Sequence, residues 1–369
     1  MFALTIVFCI DTSIGEVVGT SIIVVLFVMK KIEIVPGWGC NFKCNYCYQV
    51  RNGWRDNNKR MNINVAEKSA LLVSRYADLY PDLQVTFYGG ESLLYDDVIN
   101  IFVNVLKNKS NVHLHFVTNG SLINKLQIKI LHWQYELKNR MSMLVSYDFA
   151  LQNKNRCHNT HSKIWNNIVW LSENNIDYKT NTVIPTNDIP ALSECYQQFL
   201  QLMQQTKTNK RFRIQFDRLM TSYKDVEDGL FQFRKYLDQL PQQYRKMIEY
   251  KFGSTEMSRF KNCGLGWRVV CGINYDGTIY PCAGACFKKP IDQLKFGIVD
   301  DDFDRIQYKR HYVLSKLNWQ SNIDCYLCDA ICNYCPLNTI IGDDIQTFGG
   351  MPSEDHCKFR KLATKLLFS

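Results

Sequence analysis

No stretch of this chain is both long and apolar enough to cross a bilayer. The nearest approaches are "LTIVFCI" and "VVGTSIIVVLFV" in the first 28 residues, and Asp11 and Glu16 separate them. Neither reaches the roughly 18–20 residues that a helical span needs. A positively charged segment ahead of them is missing, which makes a secretory signal a poor fit. There is no repeat or low-complexity tract, so solenoid and disordered classes drop out. Basic runs interleaved with aromatics are absent too, and no nucleic-acid partner is expected. Met29 is followed by Lys30, Lys31 and the apolar run "IEIV". The folded chain is therefore expected to start there. Residues 1–28 then read as a hydrophobic N-terminal extension, with membrane association through 1–28 as the sharper alternative. A cytoplasmic location is the expectation.

What the chain has in excess is cysteine. It carries 15 in 369 residues, beside 46% hydrophobic and 13% aromatic content. That length supports one large α/β domain and a smaller one. In a large intracellular chain, clustered cysteines more often hold metal than form disulfides. Cys9, Cys157 and Cys195 stand alone, the latter two as indifferent thiols in or near helices. The others gather near 40–47, 263–286 and 325–357. The formal charge of +9 would fall to about +4 if eleven thiolates held three iron–sulfur cores of about +2 each.

From residue 31 onward, strand-like and helix-like runs alternate. "KIEIVP", "LQVTFYGG", "VHLHFVTNG", "MSMLVSYD", "DYKTNTVIP" and "RFRIQFDRL" read as strands. Residues 63–80, 93–108, 121–138, 161–174, 189–205 and 224–240 read as helices, the first capped by Asn62 or Asn64. Six βα units predict a parallel sheet, and ligands of such sheets sit at the C-terminal ends of the strands. Past about residue 255 the regularity stops. The expected division is 1–28, a barrel over 29–250, and a cysteine-rich domain over 251–369, with the boundary near 245–260.

"GWGCNFKCNYCYQ" puts Cys40, Cys44 and Cys47 in a C-x3-C-x2-C loop just after the first strand. Three cysteines leave one iron of a [4Fe-4S] cluster without a protein ligand, open to a small chelator. With Tyr46 before the last cysteine, the loop resembles that of the radical SAM superfamily. There the open iron chelates S-adenosylmethionine (SAM), and one electron from the cluster cleaves it to a 5′-deoxyadenosyl radical. Three further matches follow in order at strand ends. "YGGES" supplies Gly89, Gly90 and Glu91, which the resemblance assigns to the SAM amino group: the glycines permit close backbone approach and Glu91 brings negative charge. Glu91 alone would also read as a helix N-cap. "TNGSL" supplies Asn119, and "SYD" supplies Ser146 and Asp148 near the SAM ribose. The fold implied is a partial (β/α)6 TIM-like barrel.

The later cysteines resemble the SPASM extension of radical SAM enzymes, which carries auxiliary [4Fe-4S] clusters. The resemblance assigns Cys263, Cys282 and Cys335 to one cluster, with Cys271 or, more weakly, Cys286 as its fourth ligand. It assigns Cys325, Cys328, Cys332 and Cys357 to the other. The spacing C-x2-C-x3-C-x2-C is three residues shorter than the family's C-x2-C-x5-C-x3-C, so Cys332 and Cys335 could exchange partners. A zinc ribbon at Cys325, Cys328, Cys332 and Cys335 is the alternative, and with it a non-catalytic zinc-binding protein.

Within the family two activities compete. Formylglycine-forming sulfatase maturases have a basic Asp directly after the cysteine equivalent to Cys282; here "PCAGAC" has Ala283, and a methyl cannot accept a proton. Asp276 or Asp301 would have to substitute. The expected function is instead maturation of a ribosomal precursor peptide by an oxidative crosslink, a cyclophane C–C bond or a thioether. Its cofactors would be three [4Fe-4S] clusters and SAM, and its electron donor a flavodoxin or ferredoxin. The catalytic base is open among Tyr275, Asp276, Tyr280 and His356.

Overall fold

The computed structural model describes residues 30–51, 53, 55–216, 224–250, 269–286 and 294–316, with Lys358, Lys361, Leu362, Lys365 and Leu366. The expectations for 1–28, Cys263, Cys325, Cys328, Cys332, Cys335, His356 and Cys357 lie outside the described residues.

The six anticipated strands form in order: β1 (Lys30–Ile34), β2 (Leu83–Phe87), β3 (Val112–Thr118), β4 (Met141–Ser146), β5 (Asp177–Ile184) and β6 (Phe212–Phe216). Each pairs in parallel with the next. Helices Ile63–Leu79, Asp96–Leu106, Ile123–Glu136, His161–Glu173, Leu192–Thr206 and Lys224–Asp238 make the returns. Asn62 caps the first, its Oδ1 accepting from the Val65 N–H at 2.9 Å. The run from 93 opens as a tight turn of 3-10 helix, Ser92–Tyr95, with Glu91 as its cap. The run from 189 likewise begins late, because a 3-10 segment over Thr186–Ala191 contains Pro190, which has no N–H to give an α-helical ladder.

Three strands complete and extend this sheet. β7 (Ile248–Tyr250) lies parallel beside β6, and β8 (Val269–Ile273) lies parallel beside β1. β9 (Thr278–Tyr280) and β10 (Gly297–Ile298) continue antiparallel, giving the order β10-β9-β8-β1-β2-β3-β4-β5-β6-β7. Among the described residues the sheet ends at β7 and β10. The segment between β7 and β8, on which the expected boundary falls, is outside the described residues. The β8–β9 hairpin is nevertheless part of the barrel's own sheet. Helix Phe303–Lys316 covers it: Arg310 Nε donates to the Val270 carbonyl at 2.9 Å, and Phe303 meets Tyr76 edge-on at 4.9 Å.

Strand alternation sorts the side chains. Phe87, Phe116 and Trp133 stack in series between sheet and helices, with centroids 5.3 and 5.6 Å apart. These rings belong to one continuous buried core. The inner face carries Lys31, Glu33, Thr86, His115, Ser142, Asn181 and Arg213. Parallel strands buried on both faces normally read as continuous apolar runs, so a polar inner face marks a lumen that serves something other than packing. Among the described residues, no helix is long and apolar enough to cross a membrane.

Candidate functional site

The loop that follows β1 carries the cysteine triplet and is pinned at several points. Gly39 N–H donates to the Tyr95 hydroxyl at 2.8 Å, and Gly39 O accepts from the Glu91 N–H at 2.9 Å. Asn45 is held twice by Asn155, backbone to backbone and side chain to side chain, both at 2.9 Å. Phe42 plugs the loop into the core. Cys40, Cys44 and Cys47 are half-buried. Burial pushes the Cys40 thiol up to about 12 and raises Cys44 as well. The Phe42 N–H and Asn119 Nδ2 point at Cys40 Sγ, at 3.4 and 3.9 Å. A metal bound at these thiols has to displace their protons into solvent.

The "GGE" turn lies flat on this loop. A Cβ on Gly90 would stand 2.1 Å from the Gly39 carbonyl oxygen and 2.8 Å from Cys40 Cβ. Gly89 has φ +143°, and a Cβ there would meet Gly37 O at 2.6 Å. The glycines are therefore required for backbone contact with the cysteine loop itself. Glu91 is completely buried. Its Oε1 accepts from Leu93 N–H (3.0 Å) and Thr118 Oγ1 (2.6 Å), and its Oε2 from Asn119 N–H (2.6 Å). Burial pushes its carboxyl above the usual range. Glu91 thus caps a helical turn, as its N-cap reading has it, and also ties the end of β2 to the end of β3. Asn119 carries the tie onward, with Nδ2 donating to Asn41 Oδ1 at 2.8 Å, while Asn41 donates to Ser121 Oγ at 2.8 Å.

On the other side of the triplet, Tyr46 donates to Asp148 Oδ2 at 2.5 Å. Asp148 Oδ1 accepts from Arg156 Nη2 and from the Val183 N–H, each at 2.9 Å. The Arg156 guanidinium sits over the Tyr46 ring at 5.3 Å and acts on the Cys44 thiol. Its own pKa rises, the Asp148 carboxylate outweighing the cost of burial. Sequence reasoning passed over Arg156 and Tyr95. A lone Arg soon after a strand end was the available signal for the first. For the second, it was an aromatic one turn after the GGE motif. Ser146 lies at the inner end of β4, half-buried.

The ends of β1 to β4 therefore bring together Cys40, Cys44, Cys47, Gly89, Gly90, Glu91, Asn119, Tyr46 and Asp148. The later cysteines are not all so gathered. Cys271 is fully buried on β8 beside Tyr76, with its thiol pushed up to about 12. Its neighbour Gly272 faces the opposite way, against the backbone of Cys282 and Ala283. Cys271 and the Cys282 turn thus lie on opposite faces of the strand. Cys286 sits one turn beyond Cys282, its Sγ 3.5 Å from the Cys282 carbonyl.

Among the described residues no three His, Cys, Asp or Glu side chains converge on one ion. A four-iron cubane makes no such demand, since each thiolate takes a different iron. Glu91 and Asp148, the carboxylates acting on Cys40 and Cys44, have their oxygens committed to protein donors. Three soft donors, with no competing fourth among the described residues, fit a cluster with one open iron. Residues 34–188 match the model of the radical SAM superfamily. Those residues are a radical SAM domain. No curated protein matches the chain. Among solved structures, native anSMEcpe with bound AdoMet and a Cp18Cys peptide has a TM-score of 0.65 at 16% identity, over 92% of this chain and 96% of that one. Streptococcus suis SuiB has a TM-score of 0.60 at 16% identity, over 87% of this chain and 76% of its own. At such identities the likeness speaks for the fold. Its extent, 92% and 87% of this chain, goes well beyond residues 34–188.

Proposed function

We propose that this chain is a radical SAM maturase of a ribosomal precursor peptide, forming an oxidative side-chain crosslink of the cyclophane or thioether kind. The observation that carries the reading is the rim, where a three-cysteine loop is clamped between the GGE and TNG turns. Cys40, Cys44 and Cys47 would hold the [4Fe-4S] cluster. When bound, it supplies the electron that cleaves the SAM sulfonium to a 5′-deoxyadenosyl radical. The protein's part is placement: Glu91, Thr118 and Asn119 fix the loop on one side, and Tyr46, Asp148 and Arg156 on the other. Cys263, Cys282, Cys325, Cys328, Cys332, Cys335 and Cys357 would hold two auxiliary clusters, and a flavodoxin or ferredoxin would supply electrons.

The peptide reading is supported by a fold likeness that runs along nearly the whole of a peptide-bound structure. Among the described residues, the formylglycine alternative lacks a base at the Cys282 turn. Ala283 N–H donates to Glu33 Oε2 at 2.7 Å, and Glu33 Oε1 is paired with Lys31 at 2.6 Å, so Glu33 does not stand in. Asp276 caps the turn to Thr278, and Asp301 accepts from the Ile298 N–H.

The test is reaction of the reconstituted enzyme with SAM, a reductant and precursor peptides encoded beside it. Each peptide is read by mass spectrometry. Loss of two hydrogens, with label from a deuterated side chain appearing in 5′-deoxyadenosine, is expected. Formylglycine on Cys- or Ser-containing peptides, with no crosslink on any precursor, would overturn the reading in favour of its alternative.

A further inference from the structure

The stretch that follows the cysteine loop doubles back along its entry. Gly37 and Arg60 form an antiparallel bridge. The Trp38 N–H donates to the Lys59 carbonyl at 3.0 Å, and the Met61 N–H to the Pro36 carbonyl at 2.8 Å. A Cβ on Gly39 would stand 3.1 Å from Asn57 Oδ1 and 3.4 Å from Asn57 Cα. Asn57 therefore lies against Gly39, and Arg55 stands two residues beyond it, at the Cys40 end. The Arg55 guanidinium acts on the Cys40 thiol.

That guanidinium keeps an open donor. Arg55 is half-buried, and its Nη1 is buried with no hydrogen-bond partner among the described residues. Buried polar groups are almost always paired, so one left open calls for a partner that the chain itself does not supply. The adjacent Asp56 is engaged elsewhere, its Oδ1 accepting from the Asn58 N–H at 2.8 Å. Glu91, which also acts on Cys40, has its oxygens on Leu93, Thr118 and Asn119. The opposite flank differs: Arg156 acts on Cys44 with its charge matched by Asp148 at 2.9 Å.

We propose that Arg55 sets the reduction potential of the cluster at Cys40, Cys44 and Cys47, its open N–H donating to sulfur on the Cys40 side. This rests on the cluster reading above. A core of about +2 with three thiolates carries about −1, and the one electron taken from the flavodoxin or ferredoxin makes it about −2. A fixed cation stabilises the second state more than the first, and a hydrogen bond to sulfur acts in the same direction. Arg55 thereby makes the cluster easier to reduce. It is a positioning residue that acts through the cluster.

The full chain is reconstituted with iron and sulfide, and midpoint potentials are read by EPR during a redox titration without SAM. The cluster at the triplet is the one whose signal changes when SAM is then added, and the others are internal controls. Arg55→Gln is expected to leave that cluster about tenfold less reduced at a fixed solution potential, a fall of about 59 mV for one electron. Arg55→Lys keeps the charge and is expected to recover about half of the fall. The control clusters should not move. Pulsed EPR on wild-type protein carrying isotope-labelled arginine keeps the test open if Arg55→Gln does not load: a guanidinium coupling that Arg55→Lys removes is expected, and a signal without it would overturn the proposal. An unmoved midpoint in Arg55→Gln would also overturn it, as would an equal shift at every cluster. An unmoved midpoint with weakened SAM binding would instead place Arg55 on the SAM carboxylate, again against the proposal. No SAM-responsive signal in the wild type would sink the cluster reading itself, an outcome distinct from a responsive cluster whose potential ignores Arg55.

Discussion

Replacing Cys40, Cys44 and Cys47 together by Ala is expected to reduce SAM cleavage to the uncatalysed background while iron persists on the C-terminal cysteines. The loop does not depend on its thiols for its shape. Gly39 is held by Tyr95 and Glu91, Asn45 by Asn155, and Phe42 by the core. Removing three sulfurs should therefore delete the donors and leave the rim standing. The effect should be all-or-none, since no other cysteine among the described residues joins the triplet. Iron counting and 5′-deoxyadenosine analysis on the same sample check both halves. Cleavage that survived in the triple variant would place the reaction elsewhere.

The second large effect is on stability. Glu91→Ala should cost about 3–6 kcal/mol, because Leu93 N–H, Asn119 N–H and the Thr118 hydroxyl would each lose their acceptor in a fully buried place. An unpaired buried polar group costs about 1–3 kcal/mol, and a whole domain is stable by only about 5–15 kcal/mol. Glu91→Gln keeps one acceptor oxygen and should fall between, about 1–3 kcal/mol down. Denaturant midpoints with unchanged slopes give these differences. A Glu91→Ala protein as stable as the wild type, but weakened in SAM affinity, would instead assign the carboxylate to the SAM ammonium and not to the tie between β2 and β3.

Much of this was legible in the sequence because it is local. Each of the six strands carries its own apolar run and is followed by a helical period, and each motif directly follows a strand. Parallel topology alone then brings "GWGC", "YGGE" and "TNG" to one rim. What was not legible depends on partners far along the chain. β7 is three residues in a polar stretch and exists because β6 offers an edge. β8 joins β1 across more than 200 residues, and the register shift between Lys31 and Ile32 decides which face Cys271 takes. The sequence offers Glu91 as a charge and as a helix N-cap. Only the packed structure shows that Thr118 and Asn119 occupy its oxygens. The inner layer of Asn181 and Arg213 was equally hidden, since a single polar residue in a strand has no periodicity to announce it.

The most direct test of the central claim is anaerobic reconstitution of the full chain, followed by iron and sulfide counting and by addition of SAM and a reductant. The account predicts 5′-deoxyadenosine from the wild type and about twelve irons per chain, four for each of three clusters. An iron-loaded protein that left SAM intact would contradict it.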